Sequence, residues 1–148
     1  MTTTAGPART PWHLWVVGIV TLLWNAVGAM DYLMTETRNA SYLSEFTPAQ
    51  IEYFDSFPAW AVATWALAVW GGVLGSLLLL FRTRHAVAVL SVSFVAMVLT
   101  TVYNYVLSDG LQVMGASVFS IVFSAVIFGV ALLLVVYARA MRDRGVLA

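Results

Sequence analysis

The chain contains no cysteine and no lysine, and charged residues make up only 9% of its 148 positions. Without cysteine, the chain cannot form the disulfide framework of a small secreted domain. Soluble domains carry about 25% charged residues, so this chain has too few to cover a water-facing surface. Its formal net charge is zero, whereas nucleic-acid-binding proteins are usually strongly basic. These absences indicate an integral membrane protein.

Long hydrophobic segments are abundant, because 61% of the residues are hydrophobic and the mean hydropathy is +0.90. A helix needs about 20 apolar residues to cross a hydrocarbon core ~30 Å thick. Four segments meet this requirement, at about residues 12–30, 60–81, 86–107 and 113–137. The last three are joined by short connections, which force neighbouring helices to run antiparallel. The sequence predicts one all-α domain over residues 1–148, a transmembrane four-helix bundle.

The charged residues are distributed unequally between the two sides of this topology. Six of the seven arginines lie on the side of the termini and of the connection at 82–85, and Arg38 alone lies on the other. Six of the seven acids lie on the side of Arg38, and Asp143 alone lies with the termini. The positive-inside rule therefore predicts that both termini are cytoplasmic.

A competing interpretation treats residues 1–29 as a cleaved signal peptide, with Ala26-Val27-Gly28 as the small-residue site. Its charged region would then contain only Arg9, and Trp24-Asn25 would interrupt the approach to the cleavage site. These features favour a retained membrane-spanning helix.

The external loop at 31–57 is the one long connection and is rich in aromatic residues. Within it, Thr47-Pro48-Ala49-Gln50 is typical of a helix start, with Thr47 as cap, proline in the first turn and Gln50 completing a capping box. We therefore predict a short helix at Pro48–Asp55 that lies along the outer membrane interface. The loop would act as a lid over an external cavity or as a structural plug, and the pattern favours the plug.

Several polar residues lie inside or beside the predicted spans. The lipid interior cannot satisfy the amide of Asn25, so this side chain should face another helix. One interpretation is hydrogen bonding between helices, which we favour. The other is a cavity for a small polar solute, and its candidate ligand-binding residues are Asn25, Asp31, Tyr32, Thr100 and Asn104. Asp31 is also a candidate proton relay. An ion pair of Arg38, the one external cation, with Asp31 or with a loop glutamate is favoured.

Small residues predict where helices pack closely. Gly71-xxx-Gly75 and Gly72-xxx-Ser76 follow two rows of the second span, and Ser120-xxx-Ser124 follows one row of the fourth. Such rows let another helix backbone approach. They support helix contacts without identifying whether the partner helix belongs to the same chain.

Enzymatic and metal chemistry finds little support. His13 and His85 lie at the same predicted edge of the membrane, but no third ligand accompanies them, so we predict no metal site and no cofactor. The sequence also contains no phosphate-binding glycine loop and no pair of intramembrane carboxylates. We therefore expect a protein that is not an enzyme.

Several segments between about residues 12 and 105 carry a resemblance to known proteins. They lie at 12–18, 22–32, 34–35, 38–39, 42–43, 58–60, 70–72, 75–80 and 82–85. In these segments the chain resembles a family of small bacterial four-helix membrane proteins. Members of that family are often described as hypothetical proteins or sugar transporters. The chain lacks the three-helix units and the Pro-Gln pair of half-repeat sugar carriers. By analogy, the resemblance implies a location in the bacterial inner membrane.

Two functional hypotheses follow from these observations. The first is a non-enzymatic accessory subunit, or a homo-oligomer that packs through the small-residue helix faces. The alternative is a transporter or binding protein for a small, sugar-like solute, using the polar face of Asn25, Asp31 and Asn104. Both hypotheses place the protein in a lipid bilayer, and neither involves nucleic acid.

Overall fold

The regular elements of the chain are helices throughout the part that the computed structural model describes, which is Gly6 and residues 8–148. They are α1 Trp12–Glu36, α2 Ala40–Leu43, α3 Pro48–Asp55, α4 Ala59–Leu80, α5 His85–Val102, α6 Gly110–Val113 and α7 Val118–Asp143. A π-helical segment, Tyr103–Leu107, continues α5. Four helices are long and apolar enough to cross a membrane, namely α1, α4, α5 with its π-helical segment, and α7. The chain is thus an all-helical membrane protein.

Two spans differ from their predicted limits. Helix α1 continues to Glu36, so that Asp31 and Tyr32 belong to the helix and not to the loop. It ends where Arg38 adopts a left-handed conformation with φ 52°. Helix α7 begins at Val118, later than predicted, because Gly115 at φ +87° separates it from the short helix α6.

Helix α3 has the limits predicted from its sequence, and its capping box is confirmed. Thr47 Oγ1 accepts a hydrogen bond from the backbone N–H of Gln50 at 3.3 Å, and Gln50 Oε1 accepts one from the N–H of Thr47 at 3.0 Å. The two bonds satisfy backbone donors that a helix start otherwise leaves unpaired.

Helix α4 packs against α1 on one side and against α5 on the other. Its first row of small residues faces α5, since a side chain at Gly71 would meet Ser93 and one at Gly75 would meet Leu90. A hydrogen bond of 2.6 Å from Ser93 Oγ to the carbonyl of Ala68 joins the same two helices. Because the two glycines have no side chain, α5 can approach the α4 backbone closely.

The neighbouring row of α4, Gly72 and Ser76, faces α1. A side chain at Gly72 would meet the amide of Asn25, and Ser76 is fully buried beside it. Gly18 of α1 likewise makes room for Leu80 near the end of α4. Gly18 of α1 thus meets Leu80 of α4, whereas Asn25, later in α1, meets Gly72, earlier in α4. The two helices therefore run antiparallel.

The buried apolar core lies at one end of the molecule, where α1 begins, α4 ends, α5 begins and α7 ends; we call this the terminal end. Its members are Leu14, Leu79, Ala86, Val87, Leu90, Leu134, Val135, Ala138, Met141, Val146 and Leu147. The last residues fold back onto the α4–α5 turn, because Ala148 exchanges two backbone hydrogen bonds of 2.8 Å with Arg82 and Arg84. The opposite end, which carries α2, α3 and α6, is called the loop end.

Substitution of a packed glycine should cost stability that an open glycine does not. A Cβ added at Gly71 would lie 2.9 Å from the Cβ of Ser93, whereas one added at Gly129 meets nothing within 4 Å. We expect Gly71→Ala to lower the free energy of unfolding in mixed micelles by about 1–3 kcal/mol through overpacking. Gly129→Ala should be neutral or slightly stabilising, since alanine is the better helix former. Equal effects of the two substitutions would contradict the close α4–α5 approach.

Candidate functional site

Tyr53 fastens the long connection between α1 and α4 to the rest of the molecule. This connection, residues 37–58, is called the cap. The Tyr53 side chain is buried, with 7% of its surface exposed. Its hydroxyl donates a hydrogen bond of 2.7 Å to Asn104 Oδ1 and lies 2.7 Å from Ser108 Oγ. Burial is the largest contribution that raises the pKa of Tyr53, so the hydroxyl keeps its proton at neutral pH and acts as a donor.

The π-helical segment presents the partners of Tyr53. Asn104 lies within it, and its Nδ2 donates to the carbonyl of Thr100 at 2.8 Å. Ser108 follows the segment, and its hydroxyl donates to the carbonyl of Tyr103 at 2.8 Å. Both side chains thus bond backbone carbonyls at the end of the helix, which frees Asn104 Oδ1 to accept from the cap. π-Helical turns are rare in proteins, and those that occur often lie at functional sites.

Gly110 provides the space for this contact. A Cβ at Gly110 would lie 2.6 Å from the carbonyl oxygen of Asn104 and would also collide with the hydroxyl of Tyr53. Helix α6 can approach α3 only because this position carries no side chain, and Gly110 is buried in the contact. The site therefore combines three chain segments, namely α3, the π-helical segment and α6.

Aromatic rings surround the tyrosine. Phe57 packs edge-on against Tyr53 at 5.1 Å between ring centroids and against Tyr103 at 5.0 Å. Trp60 meets Tyr103 at 5.3 Å and 90°, and Trp65 meets Tyr32 at 5.0 Å and 83°. Edge-to-face pairs of this kind contribute about 0.5–1.5 kcal/mol beyond the burial of their area. The two pairs of Phe57 therefore stabilise the docked cap, and the other two join α4 to the π-helical segment and to α1.

One further contact attaches the cap to α1, and another lies within the cap. The hydroxyl of Tyr42 donates to the carboxylate of Asp31, and burial followed by this hydrogen bond raises the pKa of Tyr42 above its ordinary value. Arg38 forms an ion pair with Asp55 rather than with Asp31. Asp31 is therefore an acceptor for the cap, and Arg38 joins two parts of the cap to each other.

Asn25 lies deeper in the apolar helices and bonds to α4. Its Nδ2 donates to Ser76 Oγ at 3.1 Å and to the carbonyl of Gly72 at 3.3 Å. Ser76 in turn donates to Thr21 Oγ1 at 3.3 Å. The amide donors are thus satisfied between two helices of the same chain.

The five candidate ligand-binding residues have different partners and do not converge on one point. Asn25 bonds α4, Asp31 bonds the cap and Tyr32 packs against Trp65, whereas Thr100 bonds Thr64 at 3.1 Å and Asn104 bonds Tyr53. Only Thr100 and Asn104 are brought together, through the hydrogen bond from the Asn104 amide to the Thr100 carbonyl.

The helix-packing candidates also have distinct roles. On α4, all four small residues, Gly71, Gly72, Gly75 and Ser76, face α1 or α5 within the chain. On α7, Ser120 bonds the carbonyl of Gly115 at 2.8 Å beside the helix start, and Ser124 Oγ lies 2.5 Å from the hydroxyl of Tyr105. At the terminal end, His13 Nδ1 lies 2.5 Å from the hydroxyl of Tyr137.

Sequence reasoning missed the residues that build the docking contact. Tyr53 is one of several aromatic residues in the cap, and nothing in its spacing distinguishes it from the others. Ser108 and Gly110 fall in a short connection whose geometry depends on the π-helical segment. Comparison with protein-family models, curated proteins and solved structures finds no match for this chain.

Removal of the Tyr53 hydroxyl should loosen the cap without unfolding the spans. In Tyr53→Phe, the part-buried Asn104 Oδ1 loses its donor, a change that costs about 1–3 kcal/mol. We expect faster hydrogen exchange of the α3 amides and unchanged exchange in α4. Tyr105→Phe is the matched control, since it removes a hydroxyl that bonds Ser124 and not the cap. Identical α3 exchange in both variants and the wild type would contradict the docking role of Tyr53.

Proposed function

We propose that the chain is a non-enzymatic accessory subunit of a bacterial inner-membrane complex and that its docked cap is the surface that meets the partner. The observation that carries this proposal is the attachment of α3 through Tyr53, Asn104 and Ser108. A cap held by a buried hydroxyl and by edge-to-face rings is a preorganised surface. Preorganisation reduces the entropy that binding costs.

The proposed orientation has both termini in the cytoplasm and the cap outside. Its support is the arginine distribution, since Arg9, Arg82, Arg84, Arg139, Arg142 and Arg144 flank the terminal end and Arg38 alone lies in the cap. Basic residues beside the ends of spans set orientation by the positive-inside rule. The four candidate spans would form an antiparallel bundle in which α1 contacts α4, α4 contacts α5 and α5 contacts α7.

The chemistry of the cap favours a basic partner segment. Glu36, Glu45, Glu52 and Asp109 are exposed at the loop end. Among the described residues, the one ion pair at this end joins Arg38 to Asp55. The outer surface is therefore acidic. Charge complementarity with a basic external segment would supply steering and specificity.

Solute transport and self-association have weaker support. The polar groups that would contact a solute already bond within the chain, so solute binding would have to break the contacts of Asn25 or Asn104. The small residues of α4 are used against α1 and α5. A homo-oligomer would therefore need another surface.

Cysteine labelling tests the orientation, and the chain has no native cysteine that would interfere. We expect Glu45→Cys, in the cap, to react with a membrane-impermeant maleimide in intact cells. Thr83→Cys, in the α4–α5 turn, should react only after the membrane is opened. The opposite labelling pattern would contradict the proposed orientation.

Charge reversal in the cap tests the accessory role. After purification in mild detergent, native mass spectrometry of the wild type should show a complex heavier than the monomer. In Glu45→Lys/Glu52→Lys, we expect the partner to be lost, because two exposed acids now repel its basic segment. Asp143→Lys is the matched control, since this exposed acid lies at the terminal end. A complex that survives the cap reversal, or a wild type that is only monomeric, would contradict the proposal.

A further inference from the structure

An open apolar groove runs along the outer side of α4 and α5. It consists of two neighbouring cavities of about 490 and 330 Å³, which share Leu67 and Val92 in their walls. The larger cavity is lined by Trp70 and Leu74 of α4 and by Ala88 of α5, among other residues. The shared walls make the two cavities one continuous surface that faces the surrounding lipid.

The polar atoms beside this groove are already bonded. Thr64 Oγ1 accepts from Thr100 at 3.1 Å, and Ser91 Oγ donates to the carbonyl of Val87 at 2.7 Å. The groove therefore provides van der Waals contact and little directional bonding, which suits a hydrocarbon occupant.

The length of the groove matches one leaflet of a bilayer. From Ala88 to Leu99 it follows α5 for ~17 Å at 1.5 Å per residue, about half of a ~30 Å hydrocarbon core. An acyl chain of one leaflet that lies along α5 therefore fits within the groove.

The groove has a cationic end. Its α5 residues include Ala88, Val92 and Leu99, and continuing this helical row by one turn towards the start of α5 leads to Arg84 and His85. Both are exposed. Among the described residues the guanidinium of Arg84 forms no ion pair, whereas its backbone N–H bonds the oxygen of Ala148 at 2.8 Å. These residues lie at the edge of a candidate span, at the depth of lipid headgroups.

The geometry points to a binding site for an anionic phospholipid. Its acyl chains lie in the α4–α5 groove, and its phosphate lies against Arg84 and His85. The apolar walls hold any phospholipid of matching chain length, and the cationic end selects one with a net negative charge. The site does not depend on the orientation of the chain, since either leaflet would present headgroups at this level.

Native mass spectrometry of the detergent-purified full chain tests this site, with phosphatidylglycerol and phosphatidylcholine of identical acyl chains as probes. Phosphatidylglycerol should bind more tightly to the wild type. Arg84→Gln should weaken its binding about fivefold, the effect of one basic residue on an anionic lipid, and should weaken phosphatidylcholine less, because the choline cation of that lipid offsets the attraction of its phosphate to Arg84. Ala88→Phe should weaken both lipids, because the ring fills the groove.

Two matched control variants distinguish lipid binding at this site from nonspecific attraction of lipids to the protein. Arg139→Gln removes an exposed charge at the same end but on α7, and Ala125→Phe adds a ring to an exposed α7 position; neither should change lipid binding. Equal losses in Arg84→Gln and Arg139→Gln would overturn the proposal in favour of diffuse charge attraction. Unchanged lipid binding in Ala88→Phe would overturn the placement of the chains. A wild-type dimer that Ala88→Phe dissociates would also overturn it, since a second copy of the chain would then occupy the groove.

Discussion

Polar groups within the membrane have no water to bond, and this constraint determines how the helices of this chain meet. Each unsatisfied group in hydrocarbon costs several kcal/mol, so each must find a partner on its own or a neighbouring helix. Asn25 meets Ser76 across the α1–α4 contact, and Thr100 meets Thr64 across the α4–α5 contact. Among the described residues, no buried side-chain nitrogen or oxygen lacks a partner. The polar residues therefore fix the rotation of α1 and α5 about α4.

Helix α4 has small residues on two faces for the same reason. Short hydrogen bonds between helices need close backbones, and glycine at 71 and 72 permits this approach. The cap at the loop end also needs close approach of two backbones to form its hydrogen bond. Tyr53 reaches Asn104 because Gly110 leaves space beside it. Packing and polar pairing are thus coupled, and neither can be changed alone.

The sequence predicts the elements with strong local signals. The four spans follow from hydropathy, and α3 follows from the capping box that begins at Thr47. The extension of α1 past Asp31 and the late start of α7 were missed, since the ends of these helices depend on turns at Arg38 and Gly115. The π-helical segment was missed because its register depends on contacts with the cap and with α6. Tyr53 could not be distinguished from other aromatic residues without knowledge of that register.

A double-mutant cycle on Asn25 and Ser76 tests the central claim most directly. The free energy of unfolding in bicelles would be measured for Asn25→Leu, Ser76→Ala and the double variant. Because the two side chains bond each other at 3.1 Å, the account predicts a favourable coupling energy of about 0.6–2 kcal/mol, the range measured for hydrogen bonds between membrane helices. A coupling energy of zero would contradict it, since the two side chains would then contribute independently and the amide of Asn25 would find its partner elsewhere.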